Sequence, residues 1–231
     1  MISTFIHFAF ITCFLVLQLK TPIYYSKRVF TFNVEIKKPS ENYVNKKIYL
    51  TTFDEYWPFD EQKWIGWTDK FQNIQFKETG VGETHAGIFL HPPRKNEFAI
   101  LEFSPFPIVN YPLSVGKEWT WSLEIGTQWA KRAGIKNFDK VYNFVHTYKV
   151  TGDTIFLFNG IMINCFVIEA NCISPYGKSR LVACFNEVYG FVKLDYLNMD
   201  NSRFTFSLER IQNLEEVLKS PIFTNQNLLT L

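Results

Sequence analysis

The chain has 231 residues, which makes one domain the default, with two lobes as the variant. Hydrophobic residues make up 47% and charged residues 20%, enough for a real core and unlike a disordered polymer. The net charge is +2, and Lys and Arg gather only in pairs such as Lys37-Lys38, Lys46-Lys47 and Lys131-Arg132, which excludes the basic stripe of a nucleic-acid binder. Aromatic side chains, with 24 Phe, 11 Tyr and 6 Trp, favour strands and large buried areas, and so predict an aromatic β core.

Residues 1–25 read as a signal peptide or membrane anchor. Met1 to Leu19 carries no Asp, Glu, Lys or Arg, and its centre resembles a secretory apolar region, though no base precedes it and no small-x-small cleavage site follows. The expectation is an exported protein, periplasmic or membrane-attached. A single-pass anchor at residues 1–19 is the alternative, and a lipoprotein signal ending at Cys13 the third option.

Residues 26–110 read as an N-terminal β lobe with aromatic loops. Phe30, Phe32, Val34 and Ile36 alternate with Thr31, Asn33 and Glu35, the period-2 pattern of a half-buried strand. Ile48–Phe53 reads as a second strand and Phe71–Lys77 as a third. Asp54–Asp69, with Tyr56, Trp57, Trp64 and Trp67, reads as an ordered excursion, and Gly80–Gly87 as a glycine-bearing loop without the Gly-Lys-Ser/Thr ending of a phosphate loop. Ile88–His91 and Glu97–Phe103 are expected to pair as a hairpin across Pro92-Pro93-Arg94. Ser104–Pro112, with three prolines, is the expected boundary.

Residues 111–214 read as a C-terminal antiparallel meander. Trp119, Trp121 and Leu123 share one face of a strand, and Tyr142, Phe144, His146, Tyr148 and Val150 one face of the next. Gly126–Lys140 has room for a short helix or a loop. Asn159-Gly160 predicts a type I′ turn, since both central residues need positive φ. In the last hairpin one register sets Leu194 opposite Phe206, Val192 opposite Leu208 and Tyr196 opposite Phe204, all six on one face. Leu214–Lys219 allows a helical turn, and residues 215–231 read as a tail. The fold class is therefore mainly β: an antiparallel meander forming a curved sheet or partly open barrel, with little helix.

Cys172 and Cys184 flank the turn at Pro175-Tyr176-Gly177 and would oppose each other, as a disulfide, if the register centred on Lys178; buried free thiols are the commoner state for such small core residues. His85 and His91 lie near Glu83, but on one straight strand they would stand ~20 Å apart, beyond the reach of one metal ion. In His91-Pro-Pro-Arg94 the arginine has the chemistry to grip an anion, against a rigid loop end as the structural account. Trp57, Trp64 and Trp67 are candidates for stacking on a sugar or lipid, against core packing. His146 reads as a packed, hydrogen-bonded core histidine. No Gly-x-Ser-x-Gly elbow and no metal-ligand spacing is present, so no catalytic residue, metal or cofactor is assigned.

Gly177, Tyr189-Gly-Phe-Val-Lys193, the strand Phe204–Leu208 and the opening Gly116-Lys-Glu-Trp119 resemble TapB-like exported β domains over residues 112–211. That resemblance implies an envelope-associated β domain and no reaction. The expected function is non-catalytic: binding a lipid or other apolar ligand, or an envelope protein, through residues among Trp57, Trp64, Trp67, His91 and Arg94. A carbohydrate-binding module using the three tryptophans, or an unrecognised hydrolase, are the alternatives.

Overall fold

The computed structural model describes residues 22–39, 41–57 and 61–221. Of the expected leader at 1–25, residues 1–21, like the tail after Pro221, lie outside the described residues. Within them, no helix is long and apolar enough to cross a membrane.

The strands are β1 (Arg28–Lys37), β2 (Val44–Tyr56), β3 (Lys63–Thr68), β4 (Thr79–Glu83), β5 (Gly87–Leu90) and β6 (Ile108–Asn110), then β7 (Glu118–Ile125), β8 (Tyr142–Phe158), β9 (Ile161–Ser174), β10 (Gly177–Asn186), β11 (Gly190–Leu197) and β12 (Arg203–Asn213). Among the described residues two short α-helices accompany them, α1 (Thr127–Ala133) between β7 and β8 and α2 (Leu214–Lys219) after β12. All twelve strands form one antiparallel sheet in the order β6-β5-β4-β3-β2-β1-β12-β11-β10-β9-β8-β7. Except at β6 and β7, strands consecutive in sequence are neighbours in the sheet, and β1 pairs with β12. The sheet curls into a nearly closed barrel whose one open seam runs between its edge strands β6 and β7. Register shifts at Thr31/Phe32, Val150/Gly152 and Cys184/Phe185 supply the local bending that closure needs.

Period-2 patterning is obeyed where it was strongest. Phe30, Phe32, Val34 and Ile36 are buried, as are Phe144, His146, Tyr148 and Val150. Leu194 faces Phe206 and Tyr196 faces Phe204, and all six residues named for that face are buried. Asn159 and Gly160 both have positive φ, 50° and 76°, as the turn requires. Leu214–Lys219 is helical, capped by the Asn213 side chain, which accepts from the backbone N–H groups of Glu215 and Glu216.

Several expectations need correction. The third strand is Lys63–Thr68, inside the aromatic stretch, while Phe71–Asn73 is a 3-10 turn that buries Ile74. The glycine-bearing loop opens as strand β4, where Gly80 and Gly82 leave room for Gln62 alongside. Asn96–Phe103 is not a strand but a 3-10 helix that packs Phe98, Ile100 and Leu101 into the main core as a plug. Its residues Phe98 to Phe103 are all buried, with no alternation to hold them in a sheet. Phe98 packs on Phe204 and Phe206, with ring centroids at 5.6 and 5.8 Å. The Phe103 carbonyl accepts from Ser179 Oγ at 3.0 Å, and Ser104 Oγ donates to Asn198 Oδ1 at 2.7 Å.

Of the two states open to Cys172 and Cys184, the bridge is the one not formed. The hairpin turns between Ser174 and Gly177, so Cys172 stands opposite Ser179 and Cys184 opposite Val167, and the described cysteines Cys165, Cys172 and Cys184 are free thiols. Burial raises the Cys172 thiol to about 11. His146 is buried as expected, but neither ring nitrogen has a hydrogen-bond partner.

Candidate functional site: two pockets on one open seam

Because β6 and β7 do not pair, side chains close the seam between them. Phe89 of β5 and Phe106 reach across to Trp121 of β7, with centroids at 5.5 and 5.2 Å. A pocket lies toward each end of this bridge.

The first pocket, of about 240 Å3, is lined by Trp57, His91, Arg94, Glu102, Leu123 and Trp129 among others. The plug delivers Glu102, the loop after β5 delivers His91 and Arg94, and α1 delivers Trp129. Arg94 Nε donates to Glu102 Oε1 at 2.7 Å, with the carboxylate side chain only 3% exposed. The guanidinium carbon of Arg94 sits 4.1 Å from the Trp129 ring centre, and that of Arg132 4.6 Å. Burial raises the Glu102 carboxyl above its ordinary value, and the Arg94 guanidinium pulls the other way. His91 Nδ1 lies 2.9 Å from the Pro92 carbonyl oxygen, its acceptor, which puts the proton on Nδ1. Nε2, 3.6 Å from Glu102 Oε1, then faces the carboxylate as an acceptor. Burial and the nearby Arg94 charge hold the imidazole neutral, down to about 3. The carboxylate is thus engaged by Arg94 rather than by the histidine, and the pocket lining offers no Ser or Cys as a nucleophile.

The second pocket is a cleft of about 960 Å3, lined mainly by Pro22, Ala86, Tyr111, Pro112, Leu113 and Phe166. Glu83, Thr84, His85 and Glu187 complete it. Glu83 is engaged structurally: its carboxylate accepts from the backbone N–H groups of Ile23, Tyr24 and Tyr25 at 2.7, 2.7 and 3.0 Å. That clamp pins the segment before β1 to the end of β4 and fixes one wall of the cleft. The length of Tyr111-Pro112-Leu113 between the two edge strands forms another, held by Lys117 Nζ donating to the carbonyls of Asn110 and Pro112 at 2.7 and 2.9 Å.

The sequence candidates divide as follows. His91, Arg94 and Trp57 meet in the charged pocket, whereas His85 lines the apolar cleft. Trp57 and Trp64 are 4.2 Å apart but inclined by 46°, so they present no shared flat platform. Trp67 is buried in the core, its Nε1 donating to the His91 carbonyl at 2.9 Å. Among the described residues no group of three or more His, Cys, Asp or Glu is arranged to hold a metal. Sequence reading missed Glu102, Trp129 and the whole cleft. Glu102 had a usable signal, a lone acid inside the apolar run Phe98–Phe103, since such a residue must find a partner. The cleft had none, because Tyr111 and Phe166 meet only through the barrel.

No family model matches the sequence, and no curated protein matches it either. Among solved structures the chain is similar to a hypothetical lipoprotein, YmcC, of Escherichia coli K12, at 8% identity over 83% of this chain and 90% of that one, with a TM-score of 0.39. It is similar to a protein of Bacteroides fragilis described as exported with a YmcC-like fold, at 11% identity over 81% and 96% of the two chains and a TM-score of 0.31. It is also similar to a LolA superfamily protein of Nitrosomonas europaea, at 8% identity over 86% and 92%, with a TM-score of 0.29. Likenesses this distant carry no weight for function. None of the three is described as TapB-like, so that resemblance stays an expectation.

Proposed function

We propose that the protein is a non-catalytic binder of an apolar, lipid-like ligand, and that the ligand sits in the cleft formed by Tyr111, Pro112, Leu113 and Phe166. The observation that carries this reading is the cleft itself. Its volume of about 960 Å3 is that of a site for a sizeable small molecule, and its walls are mostly apolar. The acids beside it disfavour an anionic headgroup and favour a neutral or cationic one. Cell-envelope residence belongs to the same proposal and is supported by the uncharged apolar stretch Met1 to Leu19. Native mass spectrometry of protein purified from its own host tests the reading. The expected result is a bound apolar species in the wild type and at least a tenfold weaker retention in Phe166→Glu, with circular dichroism unchanged. An empty wild-type protein, or full retention by the folded variant, would sink it.

A further inference from the structure

The β8–β9 hairpin outruns its neighbours. β7 pairs with β8 only up to Lys149, and β10 pairs with β9 only from Phe166 onward. Beyond these points Thr151–Phe158 and Ile161–Cys165 have no neighbouring strand except within the hairpin, among the described residues. The sequence changes there too: from Thr154 to Ile168 no residue is charged. Leu157 stands opposite Met162, and Ile155, two residues earlier on the strand, shares their face. With Ile161 at the turn, these side chains are 64%, 65%, 60% and 59% exposed in that order. The reverse face is anchored: Phe158 and Ile163 are buried, and the Phe158 ring lies 4.9 Å from that of Tyr189. The result is a fixed finger with an apolar outer tip.

The chemistry of the tip selects its occupant. Four side chains expose a few hundred Å2, short of the ~800 Å2 per partner that a stable protein interface needs. The tip is narrow and convex, closed by the two-residue turn Asn159-Gly160, and has no charged rim of its own: the exposed polar side chains beside it are those of Asn159 at the turn and Asn164 opposite Ile155. A fluid phase accommodates such a wedge where a protein would need a matching groove. The nearest charges in sequence and on the adjoining turn are the acids Asp153, Glu169 and Glu187, so no base is at hand for anionic headgroups.

We propose that the β8–β9 tip docks on a lipid surface of neutral headgroups, with Ile155, Leu157, Ile161 and Met162 inserted at the level of the interface. Insertion is shallow, because the outer edges of the finger carry backbone N–H and C=O groups that hydrocarbon cannot satisfy. Docking would bring the cleft mouth toward the lipid, since Phe166 lies at the base of the finger and lines the cleft. That last consequence rests on the ligand reading above; the docking does not.

The test uses the full chain with phosphatidylcholine vesicles, read by co-sedimentation and by hydrogen exchange. Exchange is needed because the apolar stretch at residues 1–19 can bind vesicles by itself, whereas protection at the hairpin is local. The expected result is slowed exchange within residues 154–164 on adding vesicles, little changed between about 50 and about 500 mM salt. In the Leu157→Glu/Met162→Glu protein that protection disappears; Leu157→Ser/Met162→Ser replaces it should the double glutamate fail to fold. Unchanged exchange at the hairpin in the wild type, protection retained by the variants, or a dimer that both variants abolish would overturn the proposal. Phe166→Glu keeps the hairpin protection while losing ligand, so the two readings fail separately.

Discussion

The two pockets of the seam differ in what they demand. At the charged end, a carboxylate and a guanidinium are drawn out of water and must satisfy each other, with Trp129 stacked on the cation and His91 packed alongside. At the apolar end Glu83 is spent on backbone N–H groups, and most of the remaining wall is apolar. A site whose polar groups are already paired holds the barrel's plug in place; a site with unfilled apolar wall is the one that gains from an occupant. The charged pocket therefore reads as the structural end of the seam, and the cleft as the end that would hold the proposed ligand.

The largest test of that division is Glu102→Ala. It leaves the Arg94 guanidinium, 17% exposed, without its carboxylate, and the expected loss is about 3–5 kcal/mol in urea or thermal unfolding. Leu113→Ala, at the half-buried rim of the cleft, is expected to cost about 1 kcal/mol or less. Equal losses at the two ends would remove the distinction.

Acid provides the next test. Burial lowers His91 to about 3 and His146 to about 4, so the folded protein prefers both rings neutral. The unfolded chain takes up protons from about pH 6.5 downward, before the folded chain does. Stability from these rings is therefore complete above about pH 6.5 and lost as pH falls toward their folded values. Glu102 and Glu78 are raised by burial and act with the opposite sign, relieving a cost as they protonate. His146 lies on the barrel wall 5.4 Å from the Trp121 ring, with no partner on either nitrogen. In His146→Phe the acid limb flattens, and the variant gains roughly 3 kcal/mol on the wild type between pH 6.5 and pH 4. Parallel curves for the two proteins would mean that the ring never protonates before unfolding. The smallest effect is expected for Arg132→Ala. Its exposed guanidinium touches the Trp129 ring, and its loss should cost under about 1 kcal/mol by the same unfolding measurement. A loss as large as that of Glu102→Ala would make the two arginines one cooperative unit.

Legibility in the sequence followed the range of the forces involved. Alternation in β1, β8 and the last hairpin, and the Asn159-Gly160 turn, are local signals, and each reappears in the barrel. The run Phe98–Phe103 has no period, so a strand and a buried 3-10 plug look alike from sequence. Strands β3 and β4 were hidden by Trp and Gly, residues that mark loops as often as edges. Trp57, His91 and Arg94 were singled out for binding, and the fold gathers them around Glu102, which was not. The cleft was illegible because Tyr111 and Phe166 are brought together by nine intervening strand pairings rather than by any motif.

The pairing of β1 with β12 has a consequence for the order in which the molecule can be made. Strands β2 to β6 can add to one edge of β1 as they are synthesised, each beside its predecessor. The other edge of β1 waits for Arg203–Asn213, almost the end of the described chain. Until then Phe30, Phe32 and Val34 lack the strand that covers them, and the Phe98 ring of the plug lacks Phe204 and Phe206. A nascent chain is thus an open, sticky sheet with a long-range closure still to make, the kind of intermediate that chaperones hold. The last strand is also the latch.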